Sequence, residues 1–315
     1  MTESSERQIV GAEVPRVVAA RLNGTSRDDG AKVALVIEGG GMRGIVSAAM
    51  ATALEESGIL PAVDIVVGTS AGAVNAAATV RGTISGLTDA YADVYSSREF
   101  IDIRRLWNRG RPVVDSARIV SHIDQLFGVG DLVGDFGPRL AMGATDIDAA
   151  RAEALTGFAD RTDQLSAIHA SGLLPILGGP PISFRGRRWL DGGILEPVPV
   201  AAAATLGATH AIVLATRPRG FGPTFGAFDR VIQRYLHGLN PTLGSAYAQR
   251  PARYRAVLEA TAGGSCSGVR TVLFAPDAAV RLPGRLERDA QLLRSTGRTV
   301  RDETLRQLAT WQVAA

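Results

Sequence analysis

Two short apolar segments near the start of the chain are each followed by a glycine-rich turn and then by small, helix-favouring residues. Val33–Ile37 leads into the turn at 38–44, and Ile65–Val67 leads into the turn at 68–72. Unbroken β-branched runs of this kind are typical of strands that are covered on both faces of a sheet. Strand–turn–helix units of this type repeat in parallel sheets. The pattern therefore predicts an α/β protein whose two turns lie at the same edge of one sheet.

The same kind of pattern continues toward the C-terminus. It predicts a hairpin built from Ile182–Phe184 and Arg187–Leu190, a buried strand at Ala211–Ala215 and a last strand at Thr271–Phe274. A helical segment over 286–311 follows. We therefore expect the sheet to take strands from most of the chain.

The division of the chain follows from where these elements begin. Residues 1–31 are predicted to be a flexible N-terminal extension that contains a short helix over Val14–Leu22. Residues 32–315 are predicted to form one domain, with the chemical motifs in 32–216 and a helical C-terminal part in 217–315. A chain of 315 residues is long enough for one large core of this kind.

One predicted helix, Phe228–Leu239, is strongly amphipathic. Its apolar residues recur at helical spacing, and its opposite side is polar and mostly basic. A helix that packs on the core and a lid that faces a membrane both show this pattern, so the sequence leaves the two alternatives open.

Composition excludes several classes of protein. The net charge is only +3, and no basic run is interleaved with aromatic residues, so nucleic-acid binding is not expected. A single cysteine, Cys266, excludes an internal disulfide and a cysteine-based zinc cluster. The first residues lack the apolar stretch of a signal peptide, and no window of 18 apolar residues is present. We expect a cytoplasmic protein.

A basic cluster surrounds Trp107, formed by Arg104, Arg105, Arg109 and Arg111. A solvated surface segment would have this composition. A segment that touches an anionic membrane surface would have it too. The sequence leaves both interpretations open.

The second turn, Gly68-Thr69-Ser70-Ala71-Gly72, has the G-x-S-x-G pattern of a nucleophile elbow. In such a turn the serine is forced into a strained backbone conformation, so its neighbours must be small. Gly68 and Gly72 meet this requirement. Ser70 is therefore the candidate nucleophile.

The first turn can supply backbone N–H groups that converge on an anion or a developing oxyanion. A phosphate loop is an alternative, but Gly44 is followed by Ile45 and Val46 rather than by the lysine and serine of a P-loop. The turn also meets the dinucleotide pattern G-x-G-x-x-G, yet the acidic Asp64 precedes the second strand instead of ending it. These features favour an oxyanion loop.

A serine nucleophile needs a base. The chain has four histidines, and none is well placed for an ordinary Ser–Asp–His order: His122, His169, His210 and His237. Asp191 is the better candidate, because it follows a short strand and precedes Gly192 and Gly193, which can hold a carboxylate in place. A conventional triad with His210 or His237 stays an alternative.

Taken together, four motifs in this order resemble the patatin-like phospholipase family. They are the loop Gly39-Gly40-Gly41-Met42-Arg43-Gly44, the elbow around Ser70, the segment Ala170-Ser171-Gly172-Leu173-Leu174-Pro175 and the block Trp189-Leu190-Asp191-Gly192-Gly193. The resemblance covers about residues 32–216. One departure is Glu38, where many members of the family have aspartate before the glycines.

The resemblance implies a three-layer α/β/α fold with a mostly parallel central sheet. It also implies a serine lipid acyl hydrolase in which Ser70 is the nucleophile and Asp191 the base, with no histidine, cofactor or metal. The implied oxyanion hole is the whole loop Gly39, Gly40, Gly41, Met42, Arg43 and Gly44, and the implied supporting glycines are Gly68, Gly72, Gly192 and Gly193.

The implied substrate is a phospholipid or another acyl ester, with transient contact at the inner membrane surface. Two alternatives remain at this stage. One is an acyltransferase that uses the same site, and the other is a lipid-binding relative without catalysis.

Overall fold

The computed structural model describes residues 12–24, 29–107, 110–128 and 139–313. The helices are α1 Glu13–Leu22, α2 Ile45–Glu56, α3 Ala71–Arg81, α4 Ile84–Ala90, α5 Ser116–Leu126, α6 Arg161–Gly172, α7 Val200–Thr205, α8 Ala227–Leu239, α9 Pro241–Ala248, α10 Arg250–Ala262 and α11 Ala290–Val313. The strands are β1 Val33–Ile37, β2 Ile65–Thr69, β3 Arg139–Asp146, β4 Arg151–Leu155, β5 Ile182–Phe184, β6 Arg187–Asp191, β7 His210–Leu214, β8 Ser265–Cys266 and β9 Val269–Phe274.

These strands form one mixed sheet with the order β5-β6-β3-β2-β1-β7-β9-β8, and β4 also pairs with β3. The central pairs β3–β2, β2–β1, β1–β7 and β7–β9 are parallel, whereas the pairs toward the two edges are antiparallel. The five residues of β1 are all buried. A central strand that is buried along its whole length is what the unbroken apolar run Val33–Ile37 predicts.

Side chains that alternate along β1 face two separate apolar clusters. Val33, Leu35 and Ile37 pack on one face with residues of α2, α3 and α11. Ala34 and Val36 pack on the other face with residues of α7 and α10. Helices thus cover both faces of a mostly parallel sheet, which confirms the predicted three-layer α/β/α fold.

Helix α1 is where the structure differs from the expected flexible extension. Val14 and Val18 are buried in the same cluster as β1 and α2. The Arg21 guanidinium pairs with Asp29 at 2.8 Å and with Asp64 at 2.6 Å. Residues four apart on a helix share one face, so the two valines form the apolar stripe that holds α1 against the fold. Residues 1–11 and 25–28 of the predicted extension lie outside the described residues.

The C-terminal part of the chain contributes to the sheet as well as to the helical layers. The predicted strand Thr271–Phe274 is present as Val269–Phe274, paired in parallel with β7. Within the C-terminal part that was predicted to be helical, a break at Gln249 separates α9 from α10, and Pro251 lies in the first turn of the new helix.

Glu196 gives a prediction about stability and pH. Burial raises the pKa of Glu196 to about 7, from an ordinary value of 4.5. Between those two values the folded state keeps a proton that the unfolded state has lost, so the free energy of unfolding falls as the pH rises through this window. Glu196→Gln keeps an acceptor for the Ala202 N–H, which bonds Oε1 at 3.0 Å. We expect it to raise the free energy of unfolding by up to about 3 kcal/mol at pH 8 and very little at pH 4.

Thermal unfolding at the two pH values measures this difference. Glu259→Gln is the matched control, since Glu259 is exposed on α10. An equal effect of Glu196→Gln at both pH values would contradict the assignment of a raised pKa.

Among the helices within the described ranges, none combines the length and the apolar content needed to cross a bilayer.

Candidate active site

The register of three neighbouring strands brings the predicted motifs together. Ile37 of β1 lies beside Gly68 of β2, and Thr69 of β2 lies beside Gly143 of β3. On the far side of β3, Ala144 pairs with Asp191 at the end of β6. The glycine loop, the elbow and the Asp-Gly-Gly block therefore meet at one edge of the sheet.

Ser70 lies between β2 and α3 in a strained conformation, with φ 59° and ψ −131°. Non-glycine residues rarely adopt a positive φ, and those that do are concentrated at functional sites. The turn is tight because a Cβ atom at Gly68 would overlap the carbonyl group of Gly72, and one at Gly72 would overlap the carbonyl group of Ile37. Both supporting glycines of the elbow are thus fixed by close backbone approach.

The Ser70 hydroxyl donates a hydrogen bond of 2.7 Å to Oδ2 of Asp191. The other carboxylate oxygen, Oδ1, accepts the N–H of Gly193 at 2.7 Å. Ser70 is 8% exposed and Asp191 is 3% exposed. Gly192 lies against the Gly143 carbonyl group, where a Cβ atom would not fit. The pair is therefore buried, aligned and held by its own turn.

Burial raises the pKa of Asp191 above its ordinary value, and this effect outweighs the opposing hydrogen bonds from Ser70 and Gly193. A carboxylate with a raised pKa is a stronger base than one in water. Asp191 is therefore suited to take a proton from the serine hydroxyl.

Ser171 positions the elbow, a role that sequence reasoning did not assign. Its hydroxyl accepts the Ser70 N–H at 2.9 Å and donates to the Gly143 carbonyl group at 2.6 Å. Ser171 lies at the end of α6, and it is buried. The motif 170–175 was recognised, but a hydroxyl that bonds the backbone of the elbow and of β3 leaves no pattern of its own in the sequence.

The glycine loop lies directly above the elbow. Gly39 packs against the backbone of Thr69 and Ala71. Gly40 and Gly41 have φ values of 152° and 60°. Gly41 begins a 3-10 turn and Ala71 begins α3. The first N–H groups of a helix have no partner inside it, and among the described residues no acceptor is found for those of Gly41 and Ala71, so these two can donate to a ligand.

The rest of the loop differs from the expected set of six oxyanion residues. The N–H of Met42 donates to the carbonyl oxygen of Arg285 at 3.0 Å, so it is already used within the fold. Gly44 packs against Ala71 and the Tyr91 hydroxyl. Sequence spacing cannot show that a residue from far along the chain supplies an acceptor to one of the loop amides.

A buried polar network holds this loop from below. Glu38 is 2% exposed, and its carboxylate accepts the Thr216 N–H at 2.6 Å and the Tyr254 hydroxyl at 2.9 Å. Arg43 donates through Nε to the Thr216 hydroxyl at 3.2 Å, and its guanidinium lies against Gly40. Burial lowers the pKa of Arg43 to about 10. Glu38 and Arg43 thus stabilise the loop.

Tyr254→Phe tests this network. The change removes one of the two hydrogen bonds to the buried Glu38 carboxylate, and hydrogen bonds to charged groups contribute about 1.5–3 kcal/mol. We expect a loss of stability of about that size in denaturant unfolding. Tyr235→Phe is the matched control, because no hydrogen bond from the half-buried Tyr235 hydroxyl is found within the described residues. Equal stability of the two variants would contradict a structural role for the Tyr254 hydroxyl.

None of the four histidines, all within the described ranges, bonds to Ser70 or Asp191. His122 meets the Tyr95 hydroxyl at 3.0 Å and His169 meets the Ser116 hydroxyl at 3.0 Å. His210 is the first residue of β7, and its ring meets the Thr209 hydroxyl at 2.8 Å. His237 packs against Gly244. The alternative of a Ser–Asp–His triad receives no support from this geometry.

Two cavities meet at Ser70. The first, of about 230 Å³, is lined by the pair Ser70 and Asp191 together with the glycine loop. The second, of about 80 Å³, extends from Ser70 past Val74 and Tyr91. Helix α8 borders the first cavity through Phe228 and Ile232.

Helix α8 packs on the fold through one face only. Ile232 and Leu236 are buried in a cluster with Leu243 and Tyr247. Phe228 and Val231 are 47% and 53% exposed. The helix therefore has a core-packed side, and its first turn lies at the edge of the site.

Comparison with known proteins places this arrangement in a family. Residues 35–204 match the family model described as patatin-like phospholipase, which is more than half of the chain. The chain belongs to the patatin-like phospholipase family. The resemblance inferred from the four motifs is thereby confirmed.

Two relatives and one solved structure illustrate the range of similarity. The uncharacterized protein YjjU of Escherichia coli is 30% identical over 209 residues, which cover 65% of this chain and 57% of YjjU. Lysophospholipase nte1 of Emericella nidulans is 31% identical over 225 residues, which cover 65% of this chain and 14% of that protein. VipD from Legionella pneumophila superposes with a TM-score of 0.46 at 13% identity, covering 88% of this chain and 67% of VipD.

The matched regions span less than two thirds of either relative. A TM-score below 0.5 does not establish a shared fold by itself.

Proposed function

We propose that this protein is a serine lipid acyl hydrolase, of the phospholipase A or esterase type, that uses a Ser70–Asp191 dyad. The observation that carries the proposal is the 2.7 Å hydrogen bond from the Ser70 hydroxyl, on a strained elbow, to a buried carboxylate. Gly41 and Ala71, which line cavities that meet at Ser70 and lie at helix N-termini, support it as N–H donors. Membership of the patatin-like phospholipase family supports it independently.

In the first step Asp191 takes the Ser70 proton while the serine oxygen attacks the ester carbonyl carbon. The developing oxyanion is stabilised by backbone N–H groups from Gly40, Gly41 and Ala71. Donors of this kind contribute roughly 3–4 kcal/mol each to transition-state stabilisation. The alcohol of the substrate leaves with the proton that Asp191 received, and an acyl-enzyme remains.

In the second step Asp191 removes a proton from a water molecule, which attacks the acyl-enzyme carbonyl carbon. The fatty acid leaves and the proton returns to Ser70. An alcohol in place of water would give acyl transfer. Product analysis with added short-chain alcohols separates these two outcomes.

The similarity to a protein named lysophospholipase supports a lysophospholipid or related single-chain ester as substrate. Because the chain spans only part of its relatives, activity and substrate are proposed for this chain by itself.

A fluorophosphonate probe tests the proposal directly. We expect covalent labelling of the wild-type protein, with the modified peptide containing Ser70, together with hydrolysis of p-nitrophenyl butyrate. Labelling at another serine would contradict the assignment of the nucleophile. A folded protein that is neither labelled nor active on esters or lipid vesicles would favour a non-catalytic lipid-binding relative.

Contact with a membrane surface is the second part of the proposal. The arginines of the predicted basic cluster are mostly engaged in the fold: Arg104 pairs with Asp102, Arg105 donates to backbone carbonyl groups, and Arg111 pairs with Asp115. Arg109 lies outside the described residues.

The apolar side chains beside these arginines are exposed, at 83% for Trp107, 56% for Ile103 and 45% for Leu106. Ile101 and Val114 form an antiparallel bridge at the base of this loop and line the second cavity. We propose that the loop inserts into the surface of an anionic bilayer next to the site.

Trp107→Ala is expected to weaken the affinity for phosphatidylglycerol vesicles in co-sedimentation by roughly 30- to 150-fold, because moving a tryptophan side chain from water into the bilayer contributes about 2–3 kcal/mol. Trp311→Ala provides a control, since Trp311 packs on Phe274 within the fold. The same vesicle affinity for wild type and Trp107→Ala would contradict insertion of this loop.

A further inference from the structure

The first cavity contains more positive charge than its own carboxylates balance. Its charged lining residues are three arginines and two acids: Arg43, Arg250, Arg285, Glu38 and Asp191. The Glu38 carboxylate already accepts hydrogen bonds from the Tyr254 hydroxyl and the Thr216 N–H. The Asp191 carboxylate already accepts hydrogen bonds from the Ser70 hydroxyl and the Gly193 N–H.

Arg250 and Arg285 have no ion-pair partner among the residues that the structure describes, although many other arginines do. Arg250 is the first residue of α10 and donates through Nε to the Gly193 carbonyl oxygen at 2.6 Å. This bond fixes the guanidinium beside the turn that holds Asp191. Arg250 is half-buried, and Arg285 is exposed at the cavity.

Arg285 is held at the other side of the site through its backbone. Its carbonyl oxygen accepts the Met42 N–H at 3.0 Å and lies against Gly41, so the residue is tied to the glycine loop. Arg285 also lines both cavities. Burial lowers the pKa of Arg250, and the positive charge of Arg285 lowers it further. Two guanidinium groups that repel each other would both be stabilised by an anion placed between them.

The second cavity differs from the first in that few charged side chains line it. Its lining is mostly apolar, and the side chains that form it include Val74, Tyr91, Ile119, Val120 and Ile168. It meets the first cavity at Gly41, Ser70, Leu174 and Arg285. An ester carbonyl at Ser70 would thus have an apolar channel on one side, Arg250 on the other side, and Arg285 where the two cavities meet.

We propose that Arg250 and Arg285 form an anion subsite that binds the phosphate group of a lipid substrate, with the scissile acyl chain in the second cavity. Arginine side chains bind phosphate through paired, charge-assisted hydrogen bonds. This inference rests on the proposed hydrolase function and adds the two residues that select an acyl ester with a phosphate group over a neutral one. Neutral acyl glycerols of the same chain length are poorer substrates.

Binding is measured first, without catalysis, in the Ser70→Ala protein. The probes are decyl phosphate, decanol and inorganic phosphate, each followed by isothermal titration calorimetry at pH 8. We expect decyl phosphate to bind at least tenfold more tightly than decanol. Adding Arg285→Gln or Arg250→Gln should weaken decyl phosphate binding about tenfold to a hundredfold, the effect of removing a charge-assisted hydrogen bond.

Arg281→Gln and Arg255→Gln are the matched controls, because both side chains are exposed and neither lines the two cavities. We expect them to change the affinity less than twofold. Binding of decyl phosphate that is insensitive to Arg250→Gln and Arg285→Gln would overturn the subsite. Inorganic phosphate that binds as tightly as decyl phosphate would overturn the lipid part and leave free phosphate as the ligand.

Catalysis is measured second, as the ratio of kcat/KM for 1-decanoylglycerol 3-phosphate to that for 1-decanoylglycerol. We expect a ratio above ten for the wild type, and a ratio near one for Arg285→Gln. Arg285→Lys should restore part of the preference, because it keeps the charge. A ratio that is unchanged in Arg285→Gln would overturn the substrate assignment.

The two experiments separate the two proposals. If Ser70→Ala binds decyl phosphate through the two arginines and the wild type hydrolyses neither ester, the anion subsite holds and the hydrolase function fails. If both esters are hydrolysed equally and decyl phosphate binds no better than decanol, the hydrolase function holds and the anion subsite fails.

Discussion

Replacing Ser70 with alanine is expected to lower the rate of ester hydrolysis by roughly 10⁴-fold or more, the scale observed when a nucleophilic serine is removed. The variant should also lose fluorophosphonate labelling. It should keep its fold, because alanine retains the Cβ atom and removes only the hydroxyl that bonds Asp191. Hydrolysis of p-nitrophenyl butyrate, with circular dichroism as the check on folding, measures both effects.

Ser70→Gly also tests Ser70 as the nucleophile, but its expected effect on stability differs from that of Ser70→Ala. The Ser70 φ of 59° is costly for any residue with a Cβ atom, and glycine adopts it freely. We expect Ser70→Gly to be as inactive as Ser70→Ala and more stable by about 1 kcal/mol. Ser166→Ala, on the exposed side of α6, controls for the loss of a serine hydroxyl. Residual hydrolysis above one tenth of wild type in either Ser70 variant would exclude Ser70 as the nucleophile.

Replacing Asp191 with asparagine is expected to lower kcat about 10²–10⁴-fold, the usual contribution of a general base. Asparagine has nearly the same shape, and its amide oxygen can still accept the Gly193 N–H that Asp191 Oδ1 accepts now. The loss of activity would therefore result from the missing base and not from a change in the conformation of the turn that holds residue 191. In thermal unfolding, Asp191→Asn should be at least as stable as the wild type, because a buried carboxylate with a raised pKa opposes folding when it is ionised.

The raised pKa of Asp191 also determines how activity and stability change with pH. The base is active only when ionised, so kcat/KM of the wild type should rise as the pH increases through the raised pKa of Asp191 and level off above it. The stabilisation of Asp191→Asn over wild type should be largest on that same high-pH side, where the wild type carries the buried charge. Asp146→Asn, which changes another buried carboxylate on the neighbouring strand, should keep its activity. If Asp191→Asn retained activity, His210 and His237 would be the next residues to replace.

The sequence allowed the elements around the site to be predicted because their patterns are local. Val33–Ile37 has the predicted limits, and a helix, Ala71–Arg81, follows the second turn where small, helix-favouring residues predicted one, since such runs fix a strand and a helix over a few positions. The Ser70 elbow was also recognisable, because a strained turn requires small neighbours at fixed spacing. Asp191 required the four motifs to be considered together, since an Asp-Gly-Gly turn alone is common.

Other features could not be inferred from local patterns. Met42 is not an available oxyanion donor, because Arg285, more than two hundred positions later, supplies the acceptor for its N–H. Helix α1 belongs to the packed fold, because Val14 and Val18 are buried in the main apolar cluster and the helix lies against β7, β9 and α11. Such contacts depend on which elements the sheet order makes neighbours.

The sequence by itself therefore determined the α/β class, the family and the identity of Ser70 and Asp191 as candidates, because each depends on residue types and spacing within short motifs and on the order of those motifs along the chain. The tertiary structure decided which groups face one another. It placed the Ser70 hydroxyl 2.7 Å from a buried carboxylate and Ser171 beneath the elbow. It also set Arg250 and Arg285 on one cavity, since hydrogen bonds and burial arise only where distant segments meet.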